Sequence, residues 1–174
     1  KMADICIAND VLLVSDEIHS DLIFHGKKHT PTAIVSEEIG KKVISCISGT
    51  KTFNLAGLQA STTVFPDLEM KQAFDQFWAA MDIHRNNAFS SVAMEVAFQE
   101  GEEWLEQLLV YLDGNFEFIR NYCQEHIPQI KPNIPDATYL VWLDCRKLIG
   151  DSTMLCRFIR SDSGLYLSDG KDYG

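Results

Sequence analysis

Apolar and polar positions follow two rhythms along this chain, and the change from one to the other divides it. In the first third, short and wholly apolar runs are set between polar turns: VLLVS at 11–15 and KVISCIS at 42–48. Uninterrupted apolar runs of that length predict strands buried on both faces of a parallel sheet. Ahead of the first run, KMADICIAND reads as the last turns of a helix, with Asn9 near its end. Between the runs lie a polar loop and PTAIVSEEIGKK (31–42), whose Pro31 and Ser36-Glu37-Glu38 predict a short helix or turn. QASTTVF (59–65) predicts a third extended segment, stopped by Pro66-Asp67.

From residue 66 the apolar spacing lengthens to three and four. One helix opens on Pro66 and an acidic first turn, with Leu68, Phe74, Phe77, Trp78 and Met81 along one face. A second covers 86–101 and stops at Gly101; a third, much longer, covers 102–128 through Trp104, Leu105, Leu108, Leu112, Phe116, Ile119 and Cys123. A helix of that length suits a bridge between two lobes, or a coiled-coil seam. A proline-punctuated link (128–136) leads to a predicted strand, ATYLVWLDC (137–145), and to a helix over 151–164 with an acidic start and a glycine stop. The order strand, strand, strand, helices, strand, helix is that of an α/β protein with a change of lobe along the long helix. No repeat or low-complexity segment interrupts it.

Length and composition narrow the class. The 174 residues suit one domain, or one domain with a small second one, and 46% hydrophobic with 23% charged residues is a globular, soluble balance. Lys+Arg 15 against Asp+Glu 25 leaves a net charge of −10, which repels a phosphate backbone and argues against nucleic acid as partner. The five cysteines (Cys6, Cys46, Cys123, Cys145 and Cys156) show no C-x-x-C spacing, so they suggest neither a zinc site nor a disulfide framework, and a reducing cytoplasm is expected. No apolar run approaches the roughly 18 residues needed to span a membrane.

The candidate chemistry lies where the first apolar run ends, in VLLVSDEIHSDL (11–22). Two carboxylates and an imidazole follow directly on a strand, and three chemistries would use them. A nucleotide-hydrolysis box would need a phosphate loop, which SGTKTF (48–53) imitates without achieving: Thr50 stands where a glycine must precede Lys51, and the order of the two motifs is reversed. A metal could use His19, His25 and His29 beside Asp16, Glu17 and Asp21, but the two lysines of HGKKH (25–29) repel a cation, and no metal is expected. The third chemistry needs a lysine at a neighbouring strand end, and Lys51 lies just beyond the second run. A strand-end lysine and a strand-end acid are what pyridoxal 5′-phosphate requires, the amine for the carbonyl carbon and the acid for the pyridine nitrogen. Spacing alone leaves open a surface lysine and an acid that caps a turn.

SDEIHSDL (15–22) followed by SGTKTFNLAGLQAS (48–61) resembles the fold-type I, pyridoxal-phosphate-dependent aminotransferase superfamily, and within it the C–S lyase branch of cystathionine β-lyases. The likeness continues through residues 86–115, PDATYLVWLDCRKL (135–148) and GLYLSDGKDYG (164–174). It implies that residues 1–103 are part of a large cofactor-binding domain, a parallel-rich sheet with helices, and that 104–174 hold the interdomain helix and an incomplete α+β small domain. Lys51 would be the Schiff-base lysine and the proton shuttle at Cα. Asp16 would pair with the pyridine nitrogen, and Ser48 would bind the cofactor phosphate. His19 stands where many aminotransferases carry a tyrosine beside the phenolic oxygen, as in the lyase branch. Gln59 replaces an arginine that often binds the phosphate, Tyr139 approaches the substrate or fills the core, and Glu17 is structural. The implied reaction is α,β-elimination from cystathionine or cysteine to thiol, pyruvate and ammonia, in a cytoplasmic homodimer acting on a small amino acid. A sibling reading is an aminotransferase, and another is a non-catalytic structural or interaction module. The resemblance further implies an internal or C-terminal piece of a longer enzyme, inactive by itself and with exposed apolar patches.

Overall fold

The computed structural model describes residues 1–83 and 87–173; Asn86, the expected start of the second helix, lies outside the described residues. The chain opens with α1 (Met2–Ala8), closed by Asn9, whose side-chain amide donates to the Ile5 carbonyl at 2.9 Å. After it come β1 (Leu13–Asp16), α2 (Glu37–Gly40), β2 (Val43–Ile47) and β3 (Thr62–Val64). Ser36 starts α2 by accepting the Ile39 amide on its hydroxyl, the capping role for which serine is suited. The sheet order is β1-β2-β3. β1 and β2 run parallel with Leu13 opposite Val43 and Asp16 opposite Cys46, and β3 returns antiparallel with Thr62 opposite Ile47.

The core of this region is small. Ala3 and Cys6 of α1 meet Ile39 of α2 and Val43 of β2, with Ile7, Leu13 and Ala33 packed around them. The expectation that β1 is buried on both faces holds for one face only. Successive side chains point to opposite sides of a strand, so Leu13 and Ser15 turn inward while Val14 remains 60% exposed.

Three long helices follow. α3 (Leu68–Ala80) is capped by Asp67, which accepts the Met70 amide at 2.7 Å. Of its expected apolar face, Phe74 stacks between Phe65 and Trp78, whereas Leu68, Phe77 and Met81 stay exposed. α4 (Ala88–Glu100) is capped by Asn87 and ends at Gly101, where α5 (Glu102–His126) begins. The fold thus combines a parallel-containing sheet with helices, as expected for the α/β class. Among the described residues no helix is long and apolar enough to cross a membrane.

Two compact units divide the chain: Lys1–Val110 with Asp136–Thr138, and Tyr111–Pro135 with Tyr139–Gly174. The segment Asp136–Thr138 explains why the strand expected over 137–145 is broken. Ala137 bridges to Ile23, Phe24 donates its amide to Asp136 and Thr138 donates its own to Leu22, so this stretch pairs within the first unit. Thr138 then takes a left-handed turn (φ +70°), and only Trp142–Asp144 continues as a strand, β5. In the second unit β5 pairs antiparallel with β4 (Lys131–Asn133), a strand in the stretch that reads as a link. Pro132 discourages that assignment, yet a two-stranded sheet has only edge strands, and there a proline removes no needed ladder bond. α6 (Ser152–Ser163) starts on Asp151, which accepts the Thr153 and Met154 amides, and ends at Gly164 in a left-handed turn (φ +71°).

Candidate active site

Because β1 and β2 are parallel and in register, they end at the same edge of the sheet, and the segments that follow them start side by side. The last ladder bond runs from the Glu17 amide to the Cys46 carbonyl at 2.8 Å. In sheets of this kind ligands gather at the carboxyl ends of the strands.

The loop after β1 separates its two acids. Asp16 is exposed, with Oδ1 accepting the Ile18 amide at 3.3 Å. Glu17 turns inward and is 8% exposed. Its carboxylate accepts from the Ser15 hydroxyl (2.9 Å), the Thr32 amide (2.9 Å) and the His29 ring Nε2 (3.1 Å). Burial pushes this carboxyl up, but the Thr32 amide, His29 and Ser15 together outweigh it and hold the group below the ordinary glutamate value. Glu17 is therefore bound into the fold, and Asp16 is the acid available at the edge. Further along, the Ser20 amide donates to Glu17 and the Leu22 amide to His19, winding residues 17–22 into a tight loop over the fully buried Leu22.

The turn after β2 is equally determined. Phe53 donates its amide to Gly49 and Leu55 to Thr50. The Phe53 ring lies edge-on to Phe98 and tilted against Trp104, at centroid distances of 5.8 Å each. Two glycines make room for it. A Cβ at Gly49 would come within 3.1 Å of Phe53 and 3.2 Å of Met94 and Phe98, and one at Gly101 would come within 2.4 Å of Phe53 and 2.2 Å of the Ala97 carbonyl oxygen. On this support Lys51 sits half-buried between the buried Thr50 and Thr52. The Thr52 hydroxyl donates to Asp21 of the neighbouring loop at 3.1 Å.

His19 reports that the expected residues converge. Burial first, and then the charge of Lys51, push its imidazole below the ordinary histidine value, while Asp16 pulls the other way. The parallel register sets the segments that carry Asp16, His19 and Lys51 at the same end of the sheet. Ser48 is buried below them. Its hydroxyl donates to the Ala60 carbonyl (2.6 Å) and accepts the Thr50 amide (3.0 Å), so the Thr50 hydroxyl, 2.7 Å away, donates to it in turn. Gln59 is exposed and in a left-handed conformation (φ +52°), and Tyr139 belongs to the second unit, 40% exposed. The three clustered histidines part company: His29 goes to Glu17 and His25 to Glu106 at 3.4 Å, while His19 stays at the strand end with Asp16 and Lys51.

Sequence reasoning does not single out Thr52, Phe53 or Gly101 as site residues, and it considers Asp21 only as a metal ligand. Hydroxyls on both sides of Lys51 are the visible signal for Thr52. Gly101 is legible as a helix stop, but not as the recess for an aromatic ring near Lys51.

Known proteins share this arrangement of chain. Cystathionine beta-lyase PatB of Bacillus subtilis (strain 168) is 35% identical over 175 residues, covering 100% of this chain and 45% of PatB. Cystalysin from Treponema denticola, whose structure contains a pyridoxal 5′-phosphate cofactor, matches with a TM-score of 0.94 at 28% identity, over 99% of this chain and 44% of that one. The pyridoxal-phosphate-bound C–S lyase from Staphylococcus hominis matches with a TM-score of 0.85 at 30% identity, over 99% and 44%. The chain spans less than half the length of these relatives. Residues 1–174, from the first to the last, match the family described as aminotransferase class I and II, and the chain belongs to that family.

Proposed function

We propose that this chain carries the lysine-and-acid half of a pyridoxal 5′-phosphate-dependent C–S lyase, which eliminates a thiol from an amino acid with sulfur on its β-carbon, such as cystathionine or cysteine, leaving pyruvate and ammonia. The observation that supports it most is the convergence of Asp16, His19 and Lys51 at one end of the parallel strand pair. The donor set suits the cofactor: a primary amine for an aldehyde carbon, a carboxylate for a protonated pyridine nitrogen and an imidazole alongside. Lys51 and Asp16 would hold the group, with His19 beside it and Ser48 under the turn. When bound, the cofactor supplies an electron sink for charge developing at the substrate's Cα.

The chain's own residues do the rest. Lys51 Nζ would take the proton from the substrate's Cα and carry it within the site. Asp16 would serve as the acid partner of the ring nitrogen, with its Oδ1 held by the bond from the Ile18 amide. His19, its pKa lowered, stays a neutral imidazole near pH 7 and adds no competing positive charge beside Lys51. The proposal places the enzyme in the cytoplasm as a homodimer.

The test is pyruvate release from cystathionine by the full-length enzyme with added pyridoxal phosphate, beside a Lys51→Ala variant, because this chain by itself is expected to be inactive. A visible cofactor band and pyruvate formation, both lost in the variant, are expected. Amino-group transfer to an added 2-oxo acid without pyruvate release would make it an aminotransferase. No Lys51-dependent band would overturn the catalytic reading in favour of a structural module.

A further inference from the structure

The most deeply buried polar side chain around Lys51 is its neighbour Thr52, which is 0% exposed. A hydroxyl withdrawn from water so completely is costly unless it is bonded, so the choice of partner is informative. Thr52 Oγ1 donates to Asp21 Oδ2 at 3.1 Å. Donor and acceptor belong to different strand ends: Thr52 to the turn after β2, Asp21 to the loop after β1.

The sheet by itself brings those two segments only as far as the Glu17–Cys46 bond. Beyond it each segment is internally stiff. On one side, the bonds from Ser20 to Glu17, from Leu22 to His19 and from Ile23 to Asp21 tie Asp21 to the backbone that carries Asp16 and His19. On the other, the bonds from Phe53 to Gly49 and from Leu55 to Thr50, with Phe53 packed against Phe98 and Trp104, tie Thr52 to the backbone that carries Lys51. A cross-link between two stiff pieces sets their separation. Its acceptor is a carboxylate, which makes it stronger than a bond between neutral groups.

We propose that Thr52 and Asp21 form a positioning pair, whose hydrogen bond sets the placement of Lys51 relative to Asp16 and His19. The inference rests on the reading of Lys51 and Asp16 as the residues that hold the cofactor. Neither Thr52 nor Asp21 is assigned a contact with substrate or cofactor, so the pair acts through the alignment of Lys51. Its loss falls on turnover rather than on substrate binding, because misplacing a reacting group by about 1 Å costs on the order of 100-fold.

Thr52→Val and Thr52→Ser in the full-length enzyme decide it. Valine keeps the volume and the branched β-carbon without the hydroxyl, and serine keeps the hydroxyl. With cofactor added, the valine variant is expected to lose about 10- to 100-fold in kcat with KM little changed, and to alter the circular dichroism induced in the bound cofactor, while serine stays near wild type. Without cofactor, amide hydrogen exchange at Phe53 and Leu55 is expected to accelerate in the valine variant and not in the serine one. Equal behaviour of valine and serine, whether both intact or both impaired, overturns the proposal. Absence of a Lys51-dependent cofactor band in the wild-type protein would instead sink the lyase reading. The exchange data would then judge the cross-link alone, sustaining it if only valine loosens the turn and overturning it if both variants match wild type.

Discussion

In the first unit Glu17, Ser48, Thr50 and Thr52 are buried, and each is answered by hydrogen bonds within its own turn or with a neighbouring segment. In the second, Asp144, Asp151 and Asp169 make equally short contacts in reach of solvent: Asp144 takes a two-pronged grip from Arg146, Asp151 meets Lys171, and Asp169 gathers the hydroxyls of Ser152 and Thr153. The titration of these half-buried acids looks the more dramatic. Arg146 holds Asp144 well below the usual carboxylate range, and the Ser152 and Thr153 hydroxyls hold Asp169 down to about 2. Yet the geometry of a contact says little about its weight. Exposed pairs exchange protein partners for water at small net gain, whereas a buried group that loses its partner has no water to replace it. The buried contacts lie at the strand ends around Asp16 and Lys51, where placement matters for chemistry.

The largest break in this contrast is Glu17→Ala. It strips acceptors from the Thr32 amide and from Ser15 and His29, and it leaves a cavity, so urea denaturation is expected to show a loss of ~2–4 kcal/mol. Its pH dependence has a definite sign. The folded-state value of Glu17 is depressed, so its stabilisation is present above the unfolded value of about 4.3 and is lost as pH falls through the folded value. The gap between wild type and variant therefore narrows below about pH 4; a gap that widened there would contradict the assignment.

A smaller loss is expected from Gly101→Ala, whose new methyl would press on the Ala97 carbonyl and on the Phe53 ring. Overpacking of this kind costs roughly 1–3 kcal/mol, and here it should also weaken cofactor retention, because the ring supports the Lys51 turn. Melting curves recorded with and without pyridoxal phosphate check both effects.

At the far end of the scale, Arg146→Ala removes both prongs on Asp144, and the thermal midpoint is expected to stay where it was within the error of the measurement. A clear drop would show that surface contacts of the second unit carry weight that their exposure does not suggest.

Some of this organisation is legible in the order of residues alone. The α/β order, the ends of α1 and α4 and the strand-end positions of Asp16 and Lys51 all follow from local signals, whereas α3 starts at Leu68 behind the cap of Asp67 rather than on Pro66. The separate fates of Asp16 and Glu17 are legible only in part: alternation says that neighbours face opposite ways, not which one faces the core. The break at Thr138 is hidden, because the run 137–145 is locally a good strand and only its pairing with residues 22–24 divides it. Pro132 misdirects the reading of β4, since its penalty depends on whether the strand is central or at an edge.

By itself, then, the sequence determined the kinds of element, their order and which residue types stand at the strand ends, because periodicity, caps and turn residues act over a few positions. Tertiary structure decided that Glu17 would be locked by His29 and Thr32, that Thr52 would reach Asp21, and that Phe53 would need glycine at 49 and 101. Those are contacts between segments far apart in the chain, and what selects them is the desolvation of polar groups and the filling of space. Neither quantity exists until the segments have met.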